Sequence, residues 1–480
     1  MLFKQHNIKG VSCDSRSIKL GDAFFAIKGK KFDGNEYIAE VLEKGAIVFT
    51  DDPSKEAEKI FYVQDIRLVL AIAAGIIYPK LSPNLIAVTG TNGKSSVVSY
   101  IYQILKLFEI EVAAIGTLGL ESTLKMRESF LNNLPQSLTT SDPITFRKIL
   151  NEFVEIGVSS VVFEASSHGI HQRRLGDIKA KTAGFTSFSH DHLDYHGTME
   201  NYLKAKLQLL VDNLEQGAEV VINSEILDSD YASLVKDFFQ EYNIRCFLVG
   251  RNGDIKINDI KTSLIGSSVY FEYDGKNYHF NTSIIGSFQA VNLLIATKMV
   301  ANIGLDFGQI IEVLEKVVAV TGRLQRIGNI DDTFQVFVDY AHTPDALERS
   351  LSELQKIKDS DGKLYVLFGC GGDRDPSKRA LMGKVACKLA DYVVVTDDNP
   401  RSEDPKKIRL DVLKGAIGAE EIDGRELAIK NAIATLQKND ILLIAGKGHE
   451  EYQIIGNKTL IFSDIEISKK LLILKRKYLQ

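Results

Sequence analysis

From residue 84 onward, short apolar runs alternate with stretches of helical periodicity, and this alternation constrains the fold more than any other feature of the sequence. The first run, Leu85–Val88, leads into a glycine-rich turn and then into a helical stretch. Short, fully apolar runs that alternate with helices are typical of a doubly wound, mainly parallel sheet. Further runs of this kind lie at Val112–Ile115, Val158–Phe163, Ala183–Phe188, Glu219–Asn223 and Cys246–Val249.

The pattern changes near Lys256–Ile285, where apolar and polar residues alternate on both sides of an Asp274-Gly275 turn. This combination predicts an antiparallel hairpin appended to the parallel sheet. Strand–helix alternation restarts after Thr321, which predicts a second α/β sheet. The strand runs of that sheet lie at Val336–Val338, Leu364–Phe368, Tyr392–Val395 and Ile441–Ile444.

Each strand run after Thr321 is followed at once by a polar or glycine-rich cluster. In open α/β sheets, ligands bind in the crevice beyond the carboxyl ends of the strands. Clusters on neighbouring parallel strands meet at one edge, so their convergence predicts a site more strongly than any single cluster does. The clusters are Asp339–His342, Gly369–Arg374, Asp397–Arg401 and Gly446–Glu450.

Residues 1–83 mix short extended runs with short helical patterns, and they end in a segment whose prolines, Pro79 and Pro83, mark a boundary. At ~150 residues per domain, a chain of 480 residues has room for about three domains. We therefore predict an α/β protein with domains at 1–83, 84–320 and 321–480.

The formal net charge of −5 supplies no global basic field, which argues against nucleic acid as a partner.

No segment of the sequence reaches the ~20 apolar residues that a membrane-spanning helix needs, and the best apolar run is Leu68–Tyr78. The first residues also lack the apolar core of a signal peptide. We therefore expect a cytosolic protein without a membrane partner. The cysteines have no metal-ligand spacing and are expected to be free thiols; they are Cys13, Cys246, Cys370 and Cys387.

The segment Thr89–Ser96 follows a predicted strand and opens a predicted helix. This arrangement would place backbone N–H groups and a helix N-terminus against an anion, with Lys94 as counter-charge and Ser95 as a Mg²⁺ ligand. The segment is not a full Walker motif, because the first glycine of that motif would fall at Val88. We interpret it as a nucleotide-phosphate site; the alternative is a glycine-rich turn with a solvated lysine.

Carboxylate and imidazole side chains follow two further strands of the predicted sheet, in Glu164–Gly169 and Asp191–Gly197. Near a phosphate loop, such groups suit Mg²⁺ held between protein and phosphate. Glu164 and His192 are the candidate ligands. The alternative for each is a loop residue that only forms hydrogen bonds.

Thr198 is a plausible N-cap for a helix that runs to about Asn213. Lys206 falls on the apolar stripe of this helix, whereas Lys204 does not. A lysine on a buried face must be paired, neutralised or chemically modified, unless its side chain snorkels past the stripe to solvent. The stripe consists of Met199, Tyr202, Leu209 and Leu210.

Taken together, these motifs resemble the Mur ligase family of ATP-dependent enzymes that form amide bonds, over nearly the whole chain. Within the family, Thr396–Arg401 resembles the members that add meso-diaminopimelate to UDP-N-acetylmuramoyl-L-alanyl-D-glutamate during peptidoglycan precursor synthesis. The segments that carry the family resemblance are Gly90–Ser96, Glu164–Gly169, Asp191–Gly197, Gly322–Arg326, Asp339–Pro344 and Gly446–Glu450.

The resemblance implies a UDP-binding N-terminal domain, a central P-loop-type ATPase domain and a C-terminal Rossmann-like domain that binds the amino acid. It also implies a Mg²⁺ site formed by Ser95, Glu164, His192 and Lys206, with Lys206 carbamylated. The family's Gly-x-Phe-Asn-x-x-Asn segment reads Gly286–Asn292 here, with Gln289 in place of an asparagine. The implied ATP contacts are Gly90, Thr91, Asn92, Gly93, Lys94, Ser95 and Ser96 for the phosphates, Asn292 for adenine, Arg323 for the γ-phosphate and Asp339 for the ribose.

The resemblance further implies three small-molecule substrates, and we expect a monomer. The UDP-sugar dipeptide would contact Ser15, Thr139, Thr140, Ser166, Gln172 and Arg174, and the stretch 29–34 resembles the uridine-side loop in outline. The diaminopimelate would contact Arg374, Asp398, Asn399, Pro400, Arg401, Gly446 and Glu450.

The implied reaction activates the γ-carboxylate of D-glutamate as an acyl phosphate, which the amine of diaminopimelate then attacks. Positive charge is needed where the anions meet, and Lys94, Arg323 and two Mg²⁺ ions would supply it. His342 and His196 are candidate proton carriers. The Arg401 guanidinium matches the distal carboxylate that distinguishes diaminopimelate from lysine.

Two other functions stay open. The first is a ligase of the same architecture that uses lysine, or an enzyme that polyglutamylates folate, and Arg401 together with Gly446–Glu450 disfavours both. The second is a P-loop binding or switch protein that hydrolyses nucleotide without forming an amide bond. A switch protein would release phosphate without any second substrate, whereas a ligase would not.

Overall fold

The computed structural model describes residues 2–29, 32–132, 134, 139–330 and 332–479 and has three α/β domains. The first domain is a parallel sheet with strand order β1-β2-β3-β4 and an apolar cluster on each face. Its strands are Gly10–Ser12 (β1), Asp22–Ala26 (β2), Ile47–Thr50 (β3) and Ile60–Tyr62 (β4). Its helices are Leu2–Gln5 (α1), Ile38–Glu43 (α2) and Ile66–Ile77 (α3), with 3₁₀ turns at Ser15–Ser17, Gly34–Tyr37 and Pro53–Lys55.

The second domain is built on a ten-stranded sheet with the order β14-β13-β12-β11-β10-β9-β5-β8-β6-β7. Its strands are Asn84–Thr89 (β5), Val112–Gly116 (β6), Gly119–Ser122 (β7), Ser160–Glu164 (β8), Ala180–Phe185 (β9), Leu214–Asn223 (β10), Arg245–Gly250 (β11), Ile255–Ser263 (β12), Gly266–Tyr273 (β13) and Lys276–Thr282 (β14). Its helices are Lys94–Leu107 (α4), Glu128–Leu131 (α5), Pro143–Glu155 (α6), Ser167–His171 (α7), Leu193–His196 (α8), Met199–Asp212 (α9), Ala232–Glu241 (α10), Ser287–Asn302 (α11) and Phe307–Val313 (α12), with 3₁₀ turns at Ser224–Asp228 and Leu314–Lys316.

Helices cover both faces of this sheet because successive residues of a strand point to opposite sides. Ile86 and Val88 of β5 belong to the apolar core that includes α4 and α11. Leu85 and Ala87 belong to the core on the other face, which includes α6 and α9. Burial on both faces explains why the strands read as continuous apolar runs, as the parallel-sheet interpretation requires.

The predicted parallel strands are present, but several of their ends differ from the prediction. Strand β9 begins at Ala180 rather than Ala183, and β10 begins at Leu214 rather than Glu219. Strand β8 begins at Ser160 rather than Val158, because the Val158 N–H caps α6 by donating to Phe153 O (2.9 Å). Strand β9 is Ala180–Phe185, so the predicted extension to Phe188 is wrong. After Phe185 the chain turns toward the loop that follows β5, where the Thr186 hydroxyl donates to Asn92 O (2.5 Å).

The predicted hairpin is a meander of three strands, β12, β13 and β14. The Asp274-Gly275 turn joins β13 and β14, with both residues at positive φ (50° and 69°). A second turn, which the sequence analysis missed, joins β12 to β13, and β12 pairs in parallel with β11. The antiparallel segment therefore extends the parallel sheet, as predicted. It has three strands, one more than the predicted hairpin.

The third domain has a six-stranded sheet with the order β15-β16-β20-β17-β18-β19, in which β16, β20, β17 and β18 are parallel neighbours. The predicted meeting of four clusters at one edge is thereby confirmed. The strands are Gln325–Ile327 (β15), Gln335–Asp339 (β16), Leu364–Phe368 (β17), Tyr392–Val395 (β18), Glu420–Glu421 (β19) and Ile441–Ala445 (β20), with a separate hairpin of Tyr452–Ile455 (β21) and Lys458–Ile461 (β22). The helices are Pro344–Ile357 (α13), Lys378–Leu389 (α14), Pro405–Leu413 (α15), Arg425–Thr435 (α16) and Asp464–Leu479 (α17).

A fully buried ion pair ties α16 to α17 in this domain. Arg425 donates from Nε to Asp464 Oδ1 (2.8 Å) and from Nη2 to Oδ2 (2.7 Å), and neither side chain is exposed. The same guanidinium donates to Ala445 O (2.8 Å) and to Asp397 O (3.1 Å). It therefore links two helices to the carboxyl ends of β18 and β20, where two of the predicted clusters begin.

Replacing Asp464 by alanine should lower the free energy of unfolding by about 3–5 kcal/mol, because it leaves an uncompensated buried charge. The double variant Arg425→Met/Asp464→Leu should recover most of that loss. Glu466→Ala, which breaks an exposed pair in the same helix, is the control. Urea unfolding of the four proteins measures the difference, and equal midpoints for Asp464→Ala and Glu466→Ala would contradict the expectation.

No helix in the described part of the chain is long and apolar enough to cross a membrane. All four cysteines are free thiols, as predicted.

Candidate active site

The loop between β5 and α4 has the backbone of a phosphate-binding turn. Gly93 caps α4 with φ of 87°, and Gly90 has φ of 147°. A Cβ on Gly90 would lie 2.0 Å from Thr186 Oγ1, so only glycine fits there. The Lys94 ammonium folds back and donates to Gly90 O and Thr91 O (both 2.9 Å). These two bonds hold the half-buried side chain against its own loop, so it is not the solvated lysine of the alternative interpretation; burial also lowers the pKa of Lys94.

A cavity opens beside this loop, between the second and third domains. One wall is the loop with the N-terminal part of α11, and the other belongs to the third domain. The lining residues are Asn92, Gly93, Ser96, Thr186, Ser187, Asn223, Phe288, Gln289, Asn292, Arg323, Asp339, Tyr340, Ala341, Ala346, Arg349 and Ser350. The cavity thus brings together residues that the sequence analysis placed around ATP in two separate domains.

Gln289, which stands where the family segment has an asparagine, fixes its neighbour Asn292. Gln289 Oε1 accepts from Tyr100 OH (3.1 Å) and from Asn292 Nδ2 (3.3 Å). Asn292 lies against the phosphate loop, since a Cβ on Gly93 would be 2.9 Å from its Oδ1. The longer glutamine therefore keeps Asn292 at the cavity wall by anchoring it to α4.

Arg323 reaches across from the third domain to the phosphate loop. Its Nη2 donates to Ser95 Oγ (2.8 Å), and its guanidinium lies 4.5 Å from the centre of the Tyr340 ring. Among the described residues, its buried Nε has no hydrogen-bond partner. Asp339 accepts from Leu324 N (3.2 Å) and from the Ser350 hydroxyl, and burial raises its pKa. The Arg323 guanidinium and the Asp339 carboxyl group therefore both line the cavity.

The residues predicted around Mg²⁺ each bond to a group outside the predicted set: Ser95 to Arg323, His192 to Asp191, and Glu164 and Lys206 as follows. Glu164 accepts from Thr117 N (2.9 Å) and Thr117 Oγ1 (3.1 Å). Lys206 is 1% exposed, so the snorkelling alternative is wrong; its Nζ donates to Gly90 O (2.7 Å). Burial, reinforced by the charge of Lys94, holds the pKa of Lys206 well below its ordinary value. Thr198 caps α9, and Lys204 is exposed, both as predicted.

Within the described residues, no group of three or more His, Cys, Asp or Glu side chains is arranged to hold a metal ion. Mg²⁺ usually keeps several waters and binds through one or two carboxylates plus substrate phosphates, so a dedicated protein cage is not required. The Ser95 hydroxyl and the Glu164 carboxylate are hard oxygen donors that fit such an ion. An ammonium on Lys206 does not fit it, whereas a carboxylated amine would.

Asp191 binds two histidines near the loop, a role that the sequence analysis did not assign to it. Its Oδ2 lies 3.4 Å from His192 Nε2 and 3.9 Å from His342 Nε2. His192 itself has a positive φ of 55°. Burial lowers the pKa of His342 to about 4 and that of His196 to about 4, so both rings are neutral near pH 7.

The residues expected to contact the UDP-sugar dipeptide lie together, except Ser15. Thr140 Oγ1 donates to Glu164 O (2.9 Å) and accepts from Ser166 N (3.0 Å). Arg174 donates to Thr140 O (2.5 Å) and to Gln172 Oε1 (2.9 Å). These contacts place the group directly beside the candidate metal ligand.

Two further parts of the dipeptide prediction lie apart from this group's core. Thr139 Oγ1 is 3.0 Å from Thr117 Oγ1, at the edge of the group. Ser15 belongs to the first domain, where its carbonyl accepts from Lys44 Nζ (2.9 Å). In the stretch 29–34, Lys30 and Lys31 lie outside the described residues.

The residues expected to contact diaminopimelate converge where β18 and β20 end. Asn399 Nδ2 donates to Glu450 Oε2 (2.8 Å). A Cβ on Gly446 would lie 2.7 Å from Asp398 Oδ2, so glycine leaves room for that carboxylate. Arg374 is exposed at the rim and Pro400 is buried. One residue of this cluster, Lys447, was not among the predicted site residues.

Arg401 is held by its backbone and its side chain at once. It has a positive φ of 53°, its N–H donates to Ile454 O (3.0 Å), and its carbonyl accepts from Gly456 N (2.7 Å). The side chain is half-buried, and Nη1 donates to Gly372 O (2.7 Å). The guanidinium is therefore fixed at the pocket rather than free in solvent.

The third domain approaches the second through α13. Asn92 Nδ2 donates to Asp345 Oδ2 (3.2 Å) in the first turn of that helix. One turn from its end, Glu353 accepts from Ser287 N (2.9 Å) and Ser287 Oγ (2.6 Å). Arg349 between them donates to Glu225 (2.9 Å). This helix closes the cavity over the phosphate loop.

Three family descriptions match the chain in order. They are "Mur ligase family, catalytic domain" over residues 7–88, "Mur ligase middle domain" over residues 88–300 and "Mur ligase, glutamate ligase domain" over residues 322–448.

Curated relatives match over almost the full chain. A Rickettsia rickettsii protein named UDP-N-acetylmuramoyl-L-alanyl-D-glutamate--2,6-diaminopimelate ligase is 50% identical over 473 residues, which are 98% of this chain and 97% of the relative. A protein of the same name from Agrobacterium fabrum is 39% identical over 461 residues, covering 96% and 92%.

Solved structures with the same fold include one described as a UDP-N-acetylmuramoyl-L-alanyl-D-glutamate--2,6-diaminopimelate ligase. It is 30% identical, with a TM-score of 0.68, and the match covers 98% of this chain and 95% of that chain. The MurF ligase from Thermotoga maritima in complex with ADP has a TM-score of 0.64 over 98% and 99% of the two chains. At 19% identity, that second likeness shows the fold alone.

Proposed function

The chain belongs to the Mur ligase family, and from that premise we propose that it joins meso-diaminopimelate to the D-glutamate γ-carboxylate of UDP-N-acetylmuramoyl-L-alanyl-D-glutamate, with ATP as co-substrate. One observation carries the proposal: a continuous series of contacts links the phosphate loop to the amino-acid pocket. Arg323 bonds Ser95 and stacks on Tyr340, whose ring lies 5.1 Å from that of His449, next to Glu450. Nucleotide and amino acid would therefore meet at one reaction centre.

In the first step, the γ-carboxylate of the dipeptide would attack the γ-phosphorus of ATP, giving an acyl phosphate and ADP. Two anions approach each other, so cations must be fixed in advance. Lys94 and Arg323 both bond to the phosphate loop, Lys94 to the Gly90 carbonyl and Arg323 to the Ser95 hydroxyl. Among the described residues, the buried Nε of Arg323 has no partner and can donate to a ligand. These two residues would hold the transferring phosphoryl group.

In the second step, the diaminopimelate amine would attack the acyl carbon, and phosphate would leave with the electron pair of the broken C–O bond. The attacking amine must lose a proton. His342 is neutral near pH 7 because burial lowers its pKa to about 4, and the Asp191 carboxylate, 3.9 Å from its Nε2, would stabilise the imidazolium that forms when the ring takes up a proton. We assign His342 as the candidate acceptor of that proton, with neutral His196 as the second candidate.

Mg²⁺ would be held by Ser95, Glu164, His192 and Lys206 and would neutralise charge on the ATP phosphates. Lys206 enters this set as a carbamate. Its lowered pKa favours the neutral amine, which is the form that adds to carbon dioxide. The nitrogen loses a proton as the C–N bond forms, and the product is an anionic oxygen donor. The carbamate would also turn repulsion from Lys94 into attraction.

The remaining assignments follow from the same premise. Ser15, Thr139, Thr140, Ser166, Gln172 and Arg174 would bind the UDP-sugar dipeptide between the first two domains. We place the domain boundaries at 1–83, 84–320 and 321–480, close to the spans of the three family descriptions. We also propose that the protein acts in the cytoplasm, where nucleotide-linked substrates are soluble, and that it acts as a monomer.

Omitting one substrate at a time tests the proposal most directly. With Mg²⁺ present, phosphate release should require ATP, the UDP-sugar dipeptide and meso-diaminopimelate together, because they supply the phosphoryl group, the carboxylate that accepts it and the amine that displaces phosphate. The measurement is steady-state phosphate release, with the amide product detected by mass.

Each competing function predicts a different pattern in this assay. A nucleotide switch protein would release phosphate from ATP alone. A lysine-adding ligase would release phosphate with lysine in preference to meso-diaminopimelate. Either result would overturn the assignment of the amino-acid substrate or of the ligation itself.

A further inference from the structure

Lys447 is a buried cation in the amino-acid pocket to which the proposed mechanism gives no role. It lies in the loop directly after β20, and its side chain is 0% exposed. Its Nζ donates to Glu450 Oε2 (2.9 Å) and to Asn399 Oδ1 (3.2 Å). A buried ammonium is costly unless it is paired and hydrogen-bonded, so this lysine is bound firmly to its two partners.

These contacts leave Glu450 with one occupied oxygen and one open oxygen. Oε2 accepts from Lys447 and also from Asn399 Nδ2 (2.8 Å). Within the described residues, Oε1 has no hydrogen-bond donor. Asn399 is itself fixed, because its Oδ1 accepts from Ile454 N (3.0 Å). The carboxylate is therefore oriented by a rigid network, with Oε1 available to a ligand.

The pocket also needs a fixed positive charge for electrostatic reasons. Asp398 lies next to Asn399 and approaches the same loop, at 2.7 Å from the Cβ position of Gly446. Two carboxylates at one small pocket repel each other, and a buried cation offsets that repulsion. Lys447 supplies such a charge from the side of the protein, together with the buried Arg425. Among the described residues, Glu450 Oε1 and Asp398 Oδ2 then remain open to the ammonium groups of a substrate, since Glu450 Oε2 and Asp398 Oδ1 already accept hydrogen bonds.

We propose that Lys447 is a positioning residue for diaminopimelate: it orients Glu450 so that Oε1 receives an ammonium group of the amino acid. The inference rests on the proposed function, because that function places the amino acid in this pocket. Lys447 acts through Glu450 and does not touch the substrate. Its loss should therefore weaken amino-acid binding without changing the binding of ATP.

The test is Lys447→Met, which keeps the length of the side chain and removes its charge. The KM for meso-diaminopimelate should rise on the order of 10–100-fold, the usual effect of losing a hydrogen bond to a charged group. The KM values for ATP and the UDP-sugar dipeptide should stay at the wild-type level, as should kcat at saturating amino acid. Lys447→Gln, which keeps an N–H donor without the charge, should show a smaller rise in the same KM.

A double variant separates positioning from a merely structural role. In a Glu450→Gln background, adding Lys447→Met should cause no further rise in the KM for diaminopimelate, because the group through which Lys447 acts is already changed. Lys469→Met is the matched control. It breaks a Lys–Glu pair with the same sequence spacing (Nζ to Glu466 Oε1, 2.8 Å) that is exposed and remote from the pocket.

Each outcome decides the inference. The inference would be overturned by an unchanged KM for diaminopimelate in Lys447→Met, or by loss of ATP binding in both Lys447→Met and Lys447→Gln. It would also be overturned if the KM for diaminopimelate in the double variant rose by the product of the two single-variant increases. A wild-type enzyme without diaminopimelate-dependent phosphate release would instead overturn the proposed function. The two failures are thus distinguished by the wild-type assay.

Discussion

Replacing Lys206 by alanine should lower kcat for ligation by ~10²–10³-fold, the size expected when a group that stabilises a transferring phosphoryl is removed. The buried Nζ lies 2.7 Å from Gly90 O, directly beneath the phosphate loop. As a carbamate, it would contribute an anionic oxygen to the ion that binds the ATP phosphates. Its removal should therefore affect the rate more than the KM for either organic substrate. Steady-state phosphate release with all substrates saturating measures the effect.

Lys204→Ala is the control for this prediction, because Lys204 lies on the same helix but is exposed. A short carboxylic acid such as acetate or formate should restore part of the lost rate in Lys206→Ala, since it can occupy the space of the carbamate. It should restore nothing in Lys94→Ala, where a cation is missing. If Lys206→Ala kept the wild-type rate, the assignment of Lys206 to the phosphoryl-transfer site would be wrong.

Replacing Arg401 by alanine should abolish selection of diaminopimelate over lysine. A site built to bind a polar group can reject a substrate that lacks it by factors on the order of 10⁴–10⁵. Lysine lacks the distal carboxylate and would leave the Arg401 guanidinium unpaired. The measurement is the ratio of kcat/KM for meso-diaminopimelate to kcat/KM for lysine. That ratio should fall toward one in Arg401→Ala, while the KM for ATP stays unchanged.

Arg401→Lys gives a graded comparison for the same site. It keeps the charge and loses the two parallel N–H donors, so its selectivity should lie between those of the wild type and Arg401→Ala. The positive φ of residue 401 is common to all three proteins, and the backbone contacts with β21 do not require the side chain. An unchanged ratio in Arg401→Ala would show that selectivity resides elsewhere in the pocket.

The sequence predicted those parts of the fold whose signal is local. Strands such as Leu364–Phe368 and Tyr392–Val395 have the predicted bounds, because a strand buried on both faces has an uninterrupted apolar sequence. Strand β7, Gly119–Ser122, was missed because it is a half-buried edge strand of mixed polarity. The turn between β12 and β13 was missed because it carries no Asn-Gly or Asp-Gly signal of the kind at residues 274–275.

The candidate site was predictable only where a motif follows a strand directly. The phosphate loop and the four clusters of the third domain are of this kind. The network of Lys447 was not predictable, because its partners lie 48 residues earlier and three residues later and no local pattern records that they meet. The same holds for the bond from Arg323 to Ser95, which joins positions 228 residues apart.

The cavity beside the phosphate loop has walls from two different sheets, and this has a consequence for the behaviour of the whole molecule. A ligand that touches both walls stabilises their apposition with its own binding energy, and a ligand that touches one wall does not. Nucleotide bound between the phosphate loop and the wall that contains Arg323 and Asp339 would therefore favour the arrangement in which the two sheets face each other across the cavity.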